Sequence, residues 1–301
     1  MSYLNSNLFK FQISLQLLLI LAIYLVGMNE QIQLIICVLL LSTIGIPHGS
    51  ADYIYNPYIY KGGINKFLIS YVAIMFFYLI VWYFIPILAL ILFFGISIHH
   101  FGQSNFENKA VSHLPSILWG TWVLLFPVFI HSQEAITIFQ QMTSVGMFPV
   151  NFPIVNYSII NDIKLWKIIL VCSFSVIYII SLKYYYSRNL IPYFIQFIVV
   201  TVWLYVTPLL FGFIVFFCLW HALQSLKHQS GVYFQLSQKS LGDFTKKMIP
   251  FSLVALVFFL VYIYFRGLII SEAFILLSII TFPHVIVMHK LYNKTIASLS
   301  K

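Results

Sequence analysis

Long runs of apolar residues, separated by short polar segments, follow one another along almost the whole chain. A helix needs about 20 such residues to cross the roughly 30 Å of hydrocarbon in a bilayer. Runs that approach or reach this length lie near residues 11–27, 31–47, 67–84, 86–101, 115–131, 165–182, 190–206, 208–224, 249–266 and 268–289. The pattern predicts an all-α, polytopic membrane bundle of about 8–10 transmembrane helices. Without a repeat or a linker that divides the chain, we expect a single domain over residues 1–301.

The composition supports a membrane protein. Hydrophobic residues make up 61% of the 301 positions and charged residues only 8%, whereas a soluble domain carries about 25% charged residues. The first apolar run is followed directly by a second without a small-residue cleavage site, so we interpret it as a permanent span and not a signal peptide. Cys37, Cys172 and Cys218 lie in separate apolar runs, which favours packing over disulfides or a thiolate metal site.

The distribution of basic residues predicts the orientation. With both termini in the cytoplasm, 13 of the 16 Lys and Arg residues fall on the inner side, as the positive-inside rule requires. The outer side keeps Lys164, Lys167 and Arg266, and the predicted outer loop 132–163 has no basic residue. The formal net charge of +9 therefore indicates topology and attraction to anionic lipid in a cell inner membrane, and not nucleic-acid binding.

Histidines end several of the predicted spans on the same, inner side. His48 closes the second span, His100 the fourth and His221 the eighth, while His284 lies just inside the end of the tenth. An ionisable side chain at membrane depth is costly and is a functional candidate by default. Neutral imidazoles suit iron, copper or zinc better than magnesium or calcium. The alternative is that these histidines only cap helix ends or face lipid headgroups, as we expect for His113, His131 and His289.

Helix geometry leaves the ligand set partly open. His99 and His100 point about 100° apart on a helix, so they do not easily share one ion. His221 and His228 share a face but lie about 10 Å apart along the axis. Ser225, one turn after His221, is a poor ligand for iron. On these grounds His48, His100 and His221 are the strongest candidates, and His228 and His284 follow.

Three short motifs resemble those of a known family. They are GIPHGSAD (45–52), SIHHFGQSN (97–105) and WHALQSLKH (220–228). They are similar to the bacterial and archaeal membrane β-carotene 15,15′-dioxygenases of the Brp/Blh type, which are related to the bacteriorhodopsin-related proteins. The resemblance covers most of the chain in hydropathy. It implies one Fe(2+) held by four histidines and cleavage of the central double bond of β-carotene by O₂ into two molecules of retinal.

The resemblance also implies site residues. The ligands would be His48, His100, His221 and a fourth residue; the family's late histidine pair is spaced four apart, which places Ser225 at the fourth position. We therefore expect His228 as the fourth ligand, with His284, Ser225 and His99 in reserve. Gln103 and Asn105 stand where acidic residues are expected. Asp52 is retained, and its carboxylate is expected either to orient an imidazole from outside the ligand shell or to cap a helix end.

This chemistry is consistent with a membrane enzyme. β-Carotene dissolves in the bilayer and would enter laterally, and breaking an unactivated C=C bond with O₂ needs a redox metal with an open position. The product retinal could pass to an opsin. The alternative function is a transporter or channel that uses the histidines for proton or metal transit. That function predicts acidic residues along a path, and only Glu272 lies clearly within a predicted span, near its outer end.

Overall fold

The computed structural model describes residues 7–27, 29–55, 63–106, 113–148, 163–267 and 269–299. Long helices account for nearly all of these residues, and no strand occurs in these ranges, so the all-α prediction is confirmed. The helices are α1 Asn7–Val26, α2 Glu30–Tyr55, α3 Ile64–Phe84, α4 Pro86–Phe106, α5 Leu114–Ile130, α6 Ser132–Ser144, α7 Ile163–Tyr185, α8 Leu190–Val206, α9 Leu209–Ser237, α10 Leu241–Arg266 and α11 Ile270–Leu299.

Each predicted span coincides with one of these helices. Within the described part of the chain, 8 helices are long and apolar enough to cross a membrane. The other two spans correspond to α8, which is a shorter apolar helix, and to α5, which is followed by α6 after a bend of 101°. The chain is therefore a multi-pass membrane helix bundle.

Several helices depart from their predicted bounds. The segment 132–163, predicted as a loop, begins with α6; residues 149–162 of it lie outside the described ranges. α4 continues to Phe106 and α9 to Ser237, both past the ends of their apolar runs. Hydropathy marks where a helix leaves the hydrocarbon, not where the helix ends. The helix continues past that point when neighbouring groups or water form hydrogen bonds with its polar side chains.

Glycines end two of the helices. Gly27 after α1 and Gly267 after α10 have φ of +70° and +74°. Glycine adopts this left-handed conformation at little cost because it has no Cβ. Their amides donate to Ile23 O at 3.0 Å and Ile263 O at 2.8 Å, which closes the last turn of each helix.

α9 lies at the centre of the bundle and α10 at its edge. In the most apolar stretch of α9, 72% of the residues are buried, against 0% in α10. α4 and α5 approach each other closely at two glycines. A Cβ on Gly102 would lie 2.0 Å from Ser116 O, and one on Gly120 would lie 1.9 Å from Ile98 O. Small residues at such contacts are a common device of membrane helix packing, and here the contact fixes the helix that carries His100.

Candidate metal centre

Two of the histidine-bearing helices contain a wide, π-helical turn. In α2 the turn spans Leu41–Gly45 and ends just before His48; in α9 it spans Phe217–Ala222 and includes His221. Such turns occur frequently at functional sites because they shift the residues that follow out of the regular helical register. The two turns pack together, since a Cβ on Gly45 would lie 3.3 Å from Phe217 Cε1 and 3.4 Å from Cys218 Sγ. His48 and His221 are thereby brought to the same place.

Four imidazole rings from four helices form a closed circuit. Ring centroids are 5.5 Å apart for His48 and His221 and 4.6 Å apart for His221 and His100. His100 and His284 follow at 5.0 Å, and His284 and His48 complete the circuit at 4.9 Å. A ring nitrogen from each of His48, His100 and His221 lies within 4.8 Å of the other two. We call these four residues the histidine cluster; each is at most 7% exposed.

Hydrogen bonds fix the orientation of two of the rings. His48 Nδ1 lies 2.5 Å from Gly45 O, and His284 Nδ1 lies 2.9 Å from both carboxylate oxygens of Asp52. A carbonyl or carboxylate oxygen only accepts, so Nδ1–H donates in both residues and Nε2 keeps its lone pair. His284 Nε2 is buried and has no hydrogen-bond partner among the described residues. In both residues Nε2 is therefore the nitrogen that can serve as a ligand.

Asp52 is buried between α11 and α3. Besides His284, its Oδ2 accepts a hydrogen bond from Tyr71 Oη at 3.1 Å, and the residue is 3% exposed. A carboxylate behind a metal-ligating imidazole fixes the ring and raises the basicity of the ligand nitrogen. Tyr71, one of 20 tyrosines, carries no sequence signal that could have indicated this contact.

The cluster is enclosed by aromatic rings. Phe101 lies 4.4 Å from the ring of His221, and Phe217 lies 5.6 Å from His221 and 5.2 Å from His48. Neither ring nitrogen of His100 has a hydrogen-bond partner within the described ranges. A buried polar atom without a partner is uncommon and calls for an explanation, and a metal ion supplies one.

Amide side chains of α9 connect the helices that carry the cluster. Gln229 Nε2 donates to His48 O at 3.1 Å, and Gln224 Nε2 donates to Ser104 O at 3.1 Å and to Asn105 O at 3.2 Å. These bonds join α9 to α2 and to the last turn of α4. The Asn105 side chain in turn accepts a bond of 2.7 Å from Gln196 of α8. Gln196, Gln224 and Gln229 were not predicted, because an isolated glutamine in an apolar run does not reveal its partner.

α1 supports the π-helical turn of α9. Gln12 Nε2 donates to Leu219 O at 2.5 Å, and Gln16 Oε1 accepts from Trp220 Nε1. Both glutamines are fully buried. The contacts fall on the two residues directly before His221, so α1 contributes to the position of that histidine.

The remaining candidates lie elsewhere. The His228 ring stacks on Tyr292 with centroids 4.5 Å apart, and the structure does not bring it into the circuit. Ser225 is buried, and His99 contacts His289. His113, expected at the interface, is buried, with Nδ1 2.7 Å from Ser116 Oγ. His131 Nε2 lies 3.1 Å from Leu204 O.

The donor set of the cluster fits a transition metal. Neutral imidazoles bind iron, copper and zinc well and magnesium or calcium poorly. The nitrogen spacing in His48, His100 and His221 could hold an ion. The profile of the family described as beta-carotene 15,15′-dioxygenase matches residues 39–292. The chain belongs to this family. No curated protein and no solved structure gives a significant match.

Membership of the family bears on the sequence prediction in two ways. It confirms the resemblance drawn from the three motifs, and it supports β-carotene as the substrate. The matched region contains all four residues of the histidine cluster but begins after α1, within α2. Gln12 and Gln16 therefore act on the site from outside the matched region.

Proposed function

We propose that this protein is an iron-dependent dioxygenase that cleaves the central double bond of β-carotene with O₂ into two molecules of retinal. The single observation that carries the proposal is the closed circuit of four buried imidazoles in a chain of the β-carotene dioxygenase family. In the balanced reaction the C=C bond and the O=O bond break, and each retinal receives one oxygen atom as its aldehyde. No further oxidant or reductant is required.

His48, His100, His221 and His284 would hold the iron. When bound there, Fe(II) would supply the activation of O₂ that no amino-acid side chain can provide. The geometry favours His284 over His228 as the fourth ligand, because His284 contacts two cluster rings whereas His228 stacks on Tyr292. Asp52 would act as a positioning residue that holds His284 with Nε2 directed at the ion.

The side chains that border the cluster have the apolar character that a site for a polyene requires. Phe101 and Phe217 border the imidazoles and would position the central double bond while excluding water. A long hydrocarbon such as β-carotene lives in the bilayer, and a multi-pass protein can receive it from there. We retain the predicted location in the cell inner membrane with cytoplasmic termini as part of this proposal.

The test is expression in a bacterium that makes β-carotene. The wild-type protein is expected to bleach the orange colour and to yield retinal, measured by chromatography. Substitution of His48→Ala or His100→Ala should abolish both retinal and bound iron, whereas His131→Gln, outside the cluster, should preserve both. Normal retinal formation by His48→Ala would refute the proposal. Ion flux in liposomes without oxygen consumption would instead support the transport alternative.

A further inference from the structure

A second group of nitrogen ligands lies beside the histidine cluster. His99 Nε2 is 3.1 Å from His289 Nδ1, and the two ring centroids are 5.2 Å apart. The amide nitrogen of Gln103 lies 3.3 Å from the same His289 Nδ1. Gln103 is 2% exposed, and its Oε1 has no hydrogen-bond partner in the described part of the chain. His99 and Gln103 of α4 therefore both approach His289 Nδ1 of α11, while His289 Nε2 lies 2.9 Å from the Asn293 amide, which can hold the ring in place.

The spacing of these atoms suits a metal ion. Metal–imidazole bonds are about 2.0–2.1 Å long, so two adjacent imidazole ligands around one ion lie about 3 Å apart. The oxygen and nitrogen of a glutamine amide are assigned from their hydrogen bonds. If the amide of Gln103 is rotated by half a turn, its oxygen takes the place of the nitrogen and becomes a third ligand. Two imidazoles and one amide oxygen make a site for a first-row divalent ion. This site would bind the ion less tightly than a site of four imidazoles.

The location of the group suggests its role. His99 directly precedes His100, and His289 lies five residues after His284, about 7.5 Å further along α11. The side chains of His99 and His289 are half-buried, whereas the cluster residues are buried. An ion that enters from the polar end of α11 would therefore meet His99 and His289 before it reaches His100 and His284.

We propose that His99, His289 and Gln103 form a second binding site for a divalent transition-metal ion, through which the ion passes to the histidine cluster. The binding site itself follows from the three side chains alone. Its role in transfer rests on the proposed metal centre, because the histidine cluster would receive the ion.

The experiment counts and times metal binding in the purified full-length protein, prepared in detergent with a tag that contains no histidine. Metal-free protein is titrated with cobalt(II) chloride, and bound cobalt is followed by visible absorption and by elemental analysis. The wild type is expected to bind a weaker second equivalent in addition to the tight one. The double variant His99→Gln/His289→Gln should lose only the weaker equivalent and fill the tight site more slowly.

Two further variants separate the possible outcomes. His131→Gln, a histidine outside both groups, should behave as the wild type. His48→Ala should lose the tight equivalent and keep the weak one. If this variant still binds both equivalents, the result counts against the histidine cluster as the tight site and leaves the second site standing. The second site is overturned if the wild type binds a single equivalent, or if His99→Gln/His289→Gln still binds both. Retention of the tight equivalent shows that the double variant is folded.

Discussion

At the scale of single residues, the choice between His284 and His228 determines how the proposed metal centre is completed. His284 belongs to a helix that follows α9 only after the whole of α10, yet its ring lies 4.9 Å from that of His48 and 5.0 Å from that of His100. Its Nδ1 is occupied by Asp52, which leaves Nε2 for an ion. His228 belongs to the same helix as His221, but its ring faces Tyr292.

Removal of these two histidines should have different effects on iron binding. His284→Ala is expected to lose bound iron and retinal formation, because it deletes one ring of the circuit. His228→Ala should retain iron at a modest cost in stability, since the ring stacks on Tyr292 and not on the rings of the cluster. Iron per protein, measured by elemental analysis after purification, checks both. Iron retained by His284→Ala and lost from His228→Ala would assign the fourth ligand to His228.

Asp52 should tune the metal site without binding the ion. In Asp52→Asn the amide oxygen can still accept from His284 Nδ1–H, but the negative charge that strengthens the ligand is gone. Loss of such an outer partner typically weakens metal affinity by about 10–100-fold. We expect a drop of that size in competition with a chelator of known affinity, and a smaller drop for Tyr71→Phe, which removes the hydrogen bond from Tyr71 Oη to the carboxylate but keeps its charge. An unchanged affinity in Asp52→Asn would show that the carboxylate only joins helices.

The sequence predicts the three residues of the cluster that stand in motifs, and it gives the fourth, which is placed by packing, only in reserve. His48, His100 and His221 each lie in a short polar motif at the end of an apolar run, and this local contrast is visible without a structure. His284 has no such context, and its role arises only because α11 packs against α3 and α4. The contact of Asp52 with His284, 232 positions apart, is equally invisible to local pattern.

At the scale of helices, the two π-helical turns explain why α2 and α9 meet at their histidines. A π turn places one extra residue in the helix, and the carbonyls around it lose their regular partners. In α9 one of these carbonyls, Leu219 O, is bonded by Gln12 of α1, while Gln16 bonds the neighbouring Trp220 ring. Apolar periodicity does not reveal such turns, because each lies inside a longer apolar run that regular helix would also explain.

The support from α1 can be tested with Gln16→Leu. This change leaves Trp220 Nε1 buried without its acceptor, which costs about 1–3 kcal/mol of stability. Because Trp220 precedes His221, we also expect lower iron occupancy and an altered visible spectrum of the cobalt-loaded protein. Gln31→Leu, at an exposed position of α2, is the matched control. A stability loss with an unchanged cobalt spectrum would mean that α1 stabilises the bundle without positioning His221.

The contact between α4 and α5 predicts a sharp difference between two glycines of the same helix. Gly102→Ala places a methyl group 2.0 Å from Ser116 O, so the helices must separate, and overpacking of this kind costs about 1–3 kcal/mol or more. Gly95→Ala meets nothing within 4 Å and should be neutral or stabilising, since alanine favours helix. Thermal unfolding in detergent compares the two. Equal unfolding temperatures would show that α4 and α5 can move apart without a loss of stability.

At the scale of the whole molecule, the convergence of the histidines is consistent with the predicted topology. α2, α4, α9 and α11 carry the second, fourth, eighth and tenth predicted spans, which would all cross the membrane from outside to inside. Helices that cross the membrane in the same direction can place residues near their C-terminal ends at the same depth in the bilayer. The bend of 101° between α5 and α6 lets this pair make a single crossing. If α6 made a separate crossing, every later helix would be reversed and α2 and α9 would run in opposite directions.

The orientation itself yields the last prediction. The 13 basic residues assigned to the inner side predict that both termini lie in the cytoplasm, so a green fluorescent protein fused to either end should fluoresce. Alkaline phosphatase, which folds only outside the cytoplasm, should be active when inserted after Val145 and inactive when fused to the C-terminus. The same reporter placed after Gln238, between α9 and α10, should also be inactive and serves as the internal control. Activity there would mean that the histidine cluster lies nearer the outer face, and that β-carotene cleavage and metal entry take place from the opposite side of the membrane.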